Sequence, residues 1–286
     1  MHRSIKAIAP FLAAVLSCTA YVDQPRPNPG ADGVGRVEVA SSAQLPFTAQ
    51  VGSLGTDRFG NAGYTEEAGW MLVSVGRDGE EVFRASLQRP RQMILPGGGD
   101  GWRLLNVLDR RIVLYDRNGG LVSEIGYDGL SAWTGAVSPG GDIYLLDADR
   151  LEVRVYDRGG GMLQSIRLEA PDGQFRPNCL AAEPSLNLMA AGDPGRGMVV
   201  VYNLYGAIQG TIQIQPGGHR QALSLDYLGR LWGCRPQAGA VSIYGLRGGS
   251  WALLQELPLD RPYAVAMSPF GSGIVAEPGR LSFVRF

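Results

Sequence analysis

The chain carries two histidines, His2 and His219, and only His219 lies beyond the first twenty residues. A zinc site built from several imidazoles therefore cannot form. A Ser-His-Asp triad would have to use His219, and no spacing sets a serine and an aspartate beside it. The P-loop, G-x-S-x-G, H-E-x-x-H and EF-hand patterns are also absent. His219 stands in GGHRQ ahead of an apolar run and reads as a solvated loop residue. What does recur is arginine in aromatic company. The segments LQRPRQ, LSAWTG, FRPNCL, GHRQAL and DRPYAV supply Arg89, Arg91, Arg176, Arg220 and Arg261, with Phe175 and Tyr263 alongside. Trp133 takes the corresponding place in the segment that lacks an arginine. Guanidinium forks grip carboxylates in bidentate fashion, and arginine, tryptophan and tyrosine dominate binding energy at interfaces. Gathered round one opening together with His219, this set predicts a docking face for a protein or other anionic partner. The competing reading is scaffold, because an arginine before proline can also bond neighbouring loop carbonyls.

These segments recur because the whole chain does. Short β-rich runs flank Gly-rich turns in WMLVSVGRDGEEVFRASL, RRIVLYDRNGGLVSEIG, LEVRVYDRGGGMLQSIRL, MVVVYNLYGAIQGTIQI and AVSIYGLRGGSWALLQEL. Apolar or aromatic anchors close the first run of each at Val75, Tyr115, Tyr156, Tyr202 and Tyr244, and a sixth is Phe286. Their spacings are 40, 41, 46, 42 and 42 residues. Each unit is a hairpin whose turn glycine supplies positive φ. A second pair of short strands precedes the later hairpins, as in TGAVSPGGDIYLLD and AVAMSPFGSGIVAE. Four strands per unit of about 42 residues predict an all-β chain, a six-bladed β-propeller.

The unit resembles the NHL-type repeat, and residues 136–160 (AVSPGGDIYLLDADRLEVRVYDRGG) are its best copy. The sixth unit ends at its third strand, so an N-terminal segment is expected to complete that blade, with residues 45–52 (LPFTAQVG) as the candidate. Residues 55–69 read as an irregular first blade or an excursion over one face, since SLGTD and NAGYTE are weak strands. A five-bladed ring or an open sandwich is the runner-up, and either would leave one anchor unused.

Six-bladed propellers include calcium-dependent lactonases, whose carboxylates and asparagine converge inside the channel. By resemblance the candidates here are Asn178, Glu183 and Asp226, oxygen ligands of the kind Ca²⁺ takes. Glu183 and Asp226 also abut strand-ending turns (EPS and DYLG), where acidic residues are common. The resemblance to zinc-dependent propeller lyases stops short of their active site for lack of histidines.

The N-terminus predicts export. Arg3 and Lys6 precede an apolar stretch over residues 7–16, which as a helix would span only about 15 Å, half a bilayer core. The Val15-Leu16-Ser17-Cys18 sequence resembles the bacterial lipobox, which implies a signal peptide over residues 1–17 and lipid on Cys18; the alternative is cleavage at Ser17 or Ala20. Residues 18–44, rich in Pro, Gly and Ser, read as a tether, and residues 45–286 as the propeller. Removing the leader leaves 24 basic against 27 acidic groups, a formal charge of −3, which gives no nucleic-acid footprint. Lys6 is the only lysine, so every remaining cation is arginine. Cys179 and Cys234 lie in strand-like runs and read as buried hydrophobes, with a disulfide ranked second.

Together these features predict a non-enzymatic, lipid-anchored protein of the cell envelope, with its propeller as a binding or assembly platform. The position after Cys18 is threonine, which by resemblance to enterobacterial sorting implies the outer membrane. Two other readings stay open: a metal-dependent, lactonase-like hydrolase or lyase acting on a small molecule in the channel, and a surface sensor or adhesin.

Overall fold

The computed structural model of the chain describes residues 36–45, 51–57, 59–66, 70–88, 92–96, 101–127, 129–214, 218–268 and 271–285. Residues 1–17, Cys18, Arg89, Arg91 and Phe286 lie outside these.

The chain forms six antiparallel sheets of four strands each, a six-bladed β-propeller. In each of the first five blades the strands follow chain order from the channel outwards. The inner strands are Val51–Thr56, Gln92–Ile94, Ala132–Val137, Cys179–Glu183, Leu223–Leu225 and Ala264–Met267. They neighbour one another round the ring, with direct bonds such as Val137 N–H to the Pro96 carbonyl at 2.7 Å.

Strand alternation explains how the ring coheres. Six apolar clusters fill the structure, and each lies between one pair of neighbouring blades. In the third strand of blade four, Met198, Val200 and Tyr202 face blade three, whereas Val199 and Val201 face blade five. A strand buried on both faces reads as a continuous apolar run, which is what MVVVY is.

The anchors mark a shared irregularity. At Val75, Tyr115, Tyr156, Tyr202 and Tyr244 the register between third and fourth strands shifts by one residue. In blades two to four the turns that follow are held by a side chain at their first position: Asp116 Oδ1 accepts from the N–H groups of Asn118 and Gly120, each at 2.8 Å. Asp157 does the same for Gly159 and Gly161. Gly160 supplies the left-handed residue this turn needs (φ +92°) and packs against Ile125 of the preceding blade.

The ring closes as expected but with a different segment. Glu38–Gln44 pairs with Arg280–Arg285, the third strand of blade six, from Glu38 opposite Arg285 to Gln44 opposite Arg280. The closing strand thus lies upstream of residues 45–52, within the stretch read as tether. Its sequence, EVASSAQ, hides it: an outer strand buries only one side, here chiefly at Ala43.

Blade one is regular over its described residues, which corrects the expectation for residues 55–57 and 59–66. Val51–Thr56 and Ala62–Glu66 are its first two strands. They look weak because they are glycine-rich, and the glycines make room for blade two. A side chain at Gly55 would strike Ile94, and one at Gly63 would strike the buried indole of Trp102.

Candidate functional site

All six inner strands run in the same direction, so the segments that enter them gather at one end of the channel. This end is closed. Residues 218–221, which lead into blade five, turn inward and bond to every other blade. The Gly218 carbonyl accepts from Asn178 Nδ2, just ahead of blade four, at 3.1 Å. The Arg220 carbonyl accepts from Thr134 Oγ1 of blade three at 3.2 Å. The Gln221 carbonyl accepts from Val265 N–H of blade six at 2.9 Å.

The side chain of Gln221 reaches further, into the channel itself. Its Oε1 accepts from Leu54 N–H of blade one at 2.5 Å. Its Nε2 donates to the carbonyls of Leu54 at 2.7 Å and of Ile94, in blade two, at 2.6 Å. Gln221 is buried, and a buried amide is tolerated only when its bonds are made. Here two inner strands of the ring supply them.

His219 is part of this plug and not a solvated loop residue. Its Nδ1 accepts from Gln221 N–H at 3.2 Å. That makes Nε2 the protonated nitrogen, and it donates to the Gly52 carbonyl of blade one at 3.2 Å. The ring meets Tyr263 edge-on, with centroids 5.5 Å apart, and the Tyr263 hydroxyl accepts from Val51 N–H at 3.3 Å. Burial pushes the imidazole's pKa below its ordinary value; the Arg220 charge acts the same way, and the bond to Gly52 opposes both.

Arg220 and Trp133 meet on the outside of the plug. Trp133 occupies a register shift in the inner strand of blade three, between Ala132 and Thr134. Such a bulge re-aims a side chain, and this indole is half exposed. The Arg220 guanidinium lies over it, 4.9 Å from the ring centroid. Burial lowers the guanidinium's pKa, and among the described residues no carboxylate pairs with it.

Of the other expected mouth residues, Phe175, Arg176 and Arg261 do not join this pair, while Arg89 and Arg91 lie outside the described residues. Phe175 is fully buried in the core between blades three and four. Arg176 is exposed, and its guanidinium donates to the Phe175 carbonyl at 2.9 Å, the scaffold role open to an arginine before proline. Arg261 is exposed and sits 3.5 Å from Asp260. Three of the entering segments read Arg-Pro, while blade five has Gln221 after its arginine. That substitution restores an N–H and adds an amide, and it was the one sequence signal of the plug.

The calcium candidates do not converge. Asn178 precedes the inner strand of blade four and Glu183 ends it, so they sit at opposite ends of the channel. Glu183 accepts from Ser185 Oγ at 2.5 Å. Asp226 is committed to its own turn: Oδ2 accepts from Arg230 Nε at 2.6 Å and Trp232 Nε1 at 2.8 Å, and Oδ1 from the N–H groups of Leu228 and Arg230. Among the described residues no group of three His, Cys, Asp or Glu side chains is placed to hold a metal ion. The thiols are inert in the same sense. Cys179 lies between blades four and five and Cys234 between five and six, both free and fully buried. Burial raises the Cys179 pKa to about 12 and that of Cys234 further.

The other end of the channel keeps a small recess, with about 20 Å³ of room for water, between the ends of the inner strands, bordered by Pro96, Val137, Glu183, Ser224, Tyr227 and Ser268.

Fold and site together define a six-bladed propeller whose channel is closed at one end by its own loop. Among solved structures it is similar to virginiamycin B lyase from Staphylococcus aureus, at 10% identity over 88% of this chain and 100% of that one, with a TM-score of 0.56. A catalytically inactive histidine-to-alanine variant of that lyase, solved with quinupristin, aligns at 10% identity over the same shares, with a TM-score of 0.59. At such identity the likeness is one of fold. No protein-family model matches the chain, and a search of curated proteins finds no match.

Proposed function

We propose that this protein is a lipid-anchored component of the bacterial cell envelope, acylated at Cys18, whose NHL-like blades form a non-catalytic docking platform. The partner engages the plugged end of the channel through an acidic group received by Arg220 beside Trp133. One observation carries this reading: a partly buried guanidinium stacked on a half-exposed indole, with no carboxylate partner among the described residues. A desolvated cation without a counter-ion is costly to keep, and an incoming anion recovers that cost. An arginine and tryptophan side by side form the kind of pair that concentrates binding energy.

The test is co-purification from detergent extracts of wild-type cells and of cells carrying Arg220→Gln. A stoichiometric partner lost in the variant supports the platform; a protein that purifies alone in both cases contradicts it.

A second reading, a lyase or hydrolase acting on a small molecule, draws on the recess at the unplugged end. The plug bars entry from the other side, so any substrate would enter there, next to Glu183. Stoichiometric metal in the purified protein, with turnover lost in Glu183→Gln, would favour it.

A further inference from the structure

The plug depends on one proton. His219 takes two backbone bonds with opposite requirements: Nδ1 must be bare to accept from Gln221 N–H, and Nε2 must be protonated to donate to Gly52. Only one neutral tautomer satisfies both. An imidazolium would point Nδ1–H at the Gln221 N–H, turning an attraction into a clash of two donors. His219, Arg220 and Gln221 are consecutive, so the lost bond spans the residue that presents the guanidinium and ends on the one that sets the plug.

Among the described residues, the surroundings offer the charged ring little compensation. From its own segment Arg220 adds a like charge. From blade six the facing group is the Tyr263 phenol, and just ahead of it Asp260 and Arg261 lie against each other in solvent. Blade one presents the Gly52 carbonyl, already used, and blades three and four present Thr134 and Asn178, neither of which ionises near neutrality.

We infer that His219 is a positioning residue, and that neutral His219 locks residues 218–221 in the channel and holds Arg220 over Trp133, so that acidification loosens both the plug and the docking surface. The part concerning Arg220 rests on the docking function proposed above; the lock itself does not.

His219 is the only histidine outside the leader, so its ring resonances are assigned without ambiguity. Nitrogen NMR of the purified protein at pH 7.5 is expected to show Nδ1 bare and Nε2 protonated, with titration below the ordinary histidine range. Hydrogen exchange of Gln221 and Ala222, corrected for intrinsic rates, is expected to speed up on the order of tenfold or more between pH 7.5 and pH 5. In His219→Asn the side-chain oxygen can accept from Gln221 N–H without titrating, and this exchange is expected to stay flat with pH. The opposite tautomer, an ordinary titration, or the same pH response in His219→Asn would overturn the lock.

Hexaglutamate serves as the acidic probe, its binding followed by calorimetry in the wild type, Arg220→Gln and His219→Asn. Binding that weakens at pH 5 in the wild type but not in His219→Asn, and is lost in Arg220→Gln, supports the coupling. Binding indifferent to Arg220→Gln would overturn the docking role of Arg220 and the coupling, whereas the exchange and NMR results decide the lock alone.

Discussion

The Nε2 of Gln221 donates to the carbonyl of Ile94 at 2.6 Å, and in doing so joins blade five to the blade directly opposite it. A bond across the diameter of the ring means that the channel is crossed by protein at that level. A propeller held only by neighbour-to-neighbour contacts could open at any seam, whereas a central strut resists opening at all of them. The closed end also becomes a continuous surface, which suits a platform better than a pore.

Gln221→Leu removes three bonds and leaves the Leu54 N–H and two carbonyls to find other partners in a buried setting. Its expected cost is about 3 kcal/mol, at roughly 1 kcal/mol per bond. For a domain of this size that lowers the melting temperature by about 6–12 °C. A thermal melt within a degree or two of wild type would show that the strut carries no load.

The seam at blade six predicts a sharp boundary for truncation. A chain starting at residue 36 keeps the closing strand, whereas one starting at residue 46 lacks it and bares the edge of Arg280–Arg285. The shorter chain also loses Val37, Ala43 and Leu45 from two inter-blade cores. It is expected to aggregate while the longer chain stays monomeric, as read by size-exclusion chromatography. Equal behaviour of the two would argue against this closure.

How much of this was legible beforehand depended on what each residue had to do. The anchors and turn residues, such as Tyr156 with Asp157 and Gly160, repeat because each of the first five blades needs the same bulge and the same left-handed position. They announce the ring and its six-fold count. The closing strand was missed because an outer strand needs few apolar residues, and EVASSAQ has few. Blade one was misread because its pattern records its neighbour: Gly55 and Gly63 are small so that Ile94 and Trp102 can be large. The Arg set was legible as a pattern but not as a geometry. Phe175 turns into the core, Arg176 bonds its own loop, and among the described residues only Arg220 keeps company with Trp133. The reach of Gln221 across the channel joins residues more than a hundred positions apart, and no local pattern encodes it.

Acid should weaken the fold through His219, with a definite sign. The folded-state pKa lies below that of the unfolded chain, near 6.5. The unfolded state therefore binds the proton first, and the contribution is complete above about pH 6.5. It declines as the pH falls from there through the lowered folded value, and each tenfold difference in proton affinity between the two states is worth about 1.4 kcal/mol. Urea melts at pH 7.5 and 5 should differ more in wild type than in His219→Asn, which subtracts the carboxylates common to both. An equal difference in the two proteins would contradict the assignment.

Asp226 is expected to behave as a structural residue. Asp226→Ala removes the carboxylate from the buried Arg230 and the bond to Trp232, at a cost of about 3–5 kcal/mol. Millimolar Ca²⁺ or EDTA is expected to leave the wild-type melting temperature unchanged, because Asn178, Glu183 and Asp226 do not share a site. A clear Ca²⁺-dependent rise in differential scanning calorimetry would reverse this view.

The most direct test of the docking platform is site-specific photocrosslinking in living cells, because a chain whose one lysine is Lys6 gives amine-reactive reagents little to capture. A photoreactive amino acid is placed at Arg176 or Arg261, beside the plugged end, and at Tyr205, in the turn between the third and fourth strands of blade four, or Leu246, near the end of the third strand of blade five. Discrete adducts from the first two positions, abolished by Arg220→Gln, are the predicted result. Adducts only from Tyr205 or Leu246, or adducts indifferent to Arg220→Gln, would contradict the claim that the plugged mouth is the docking surface.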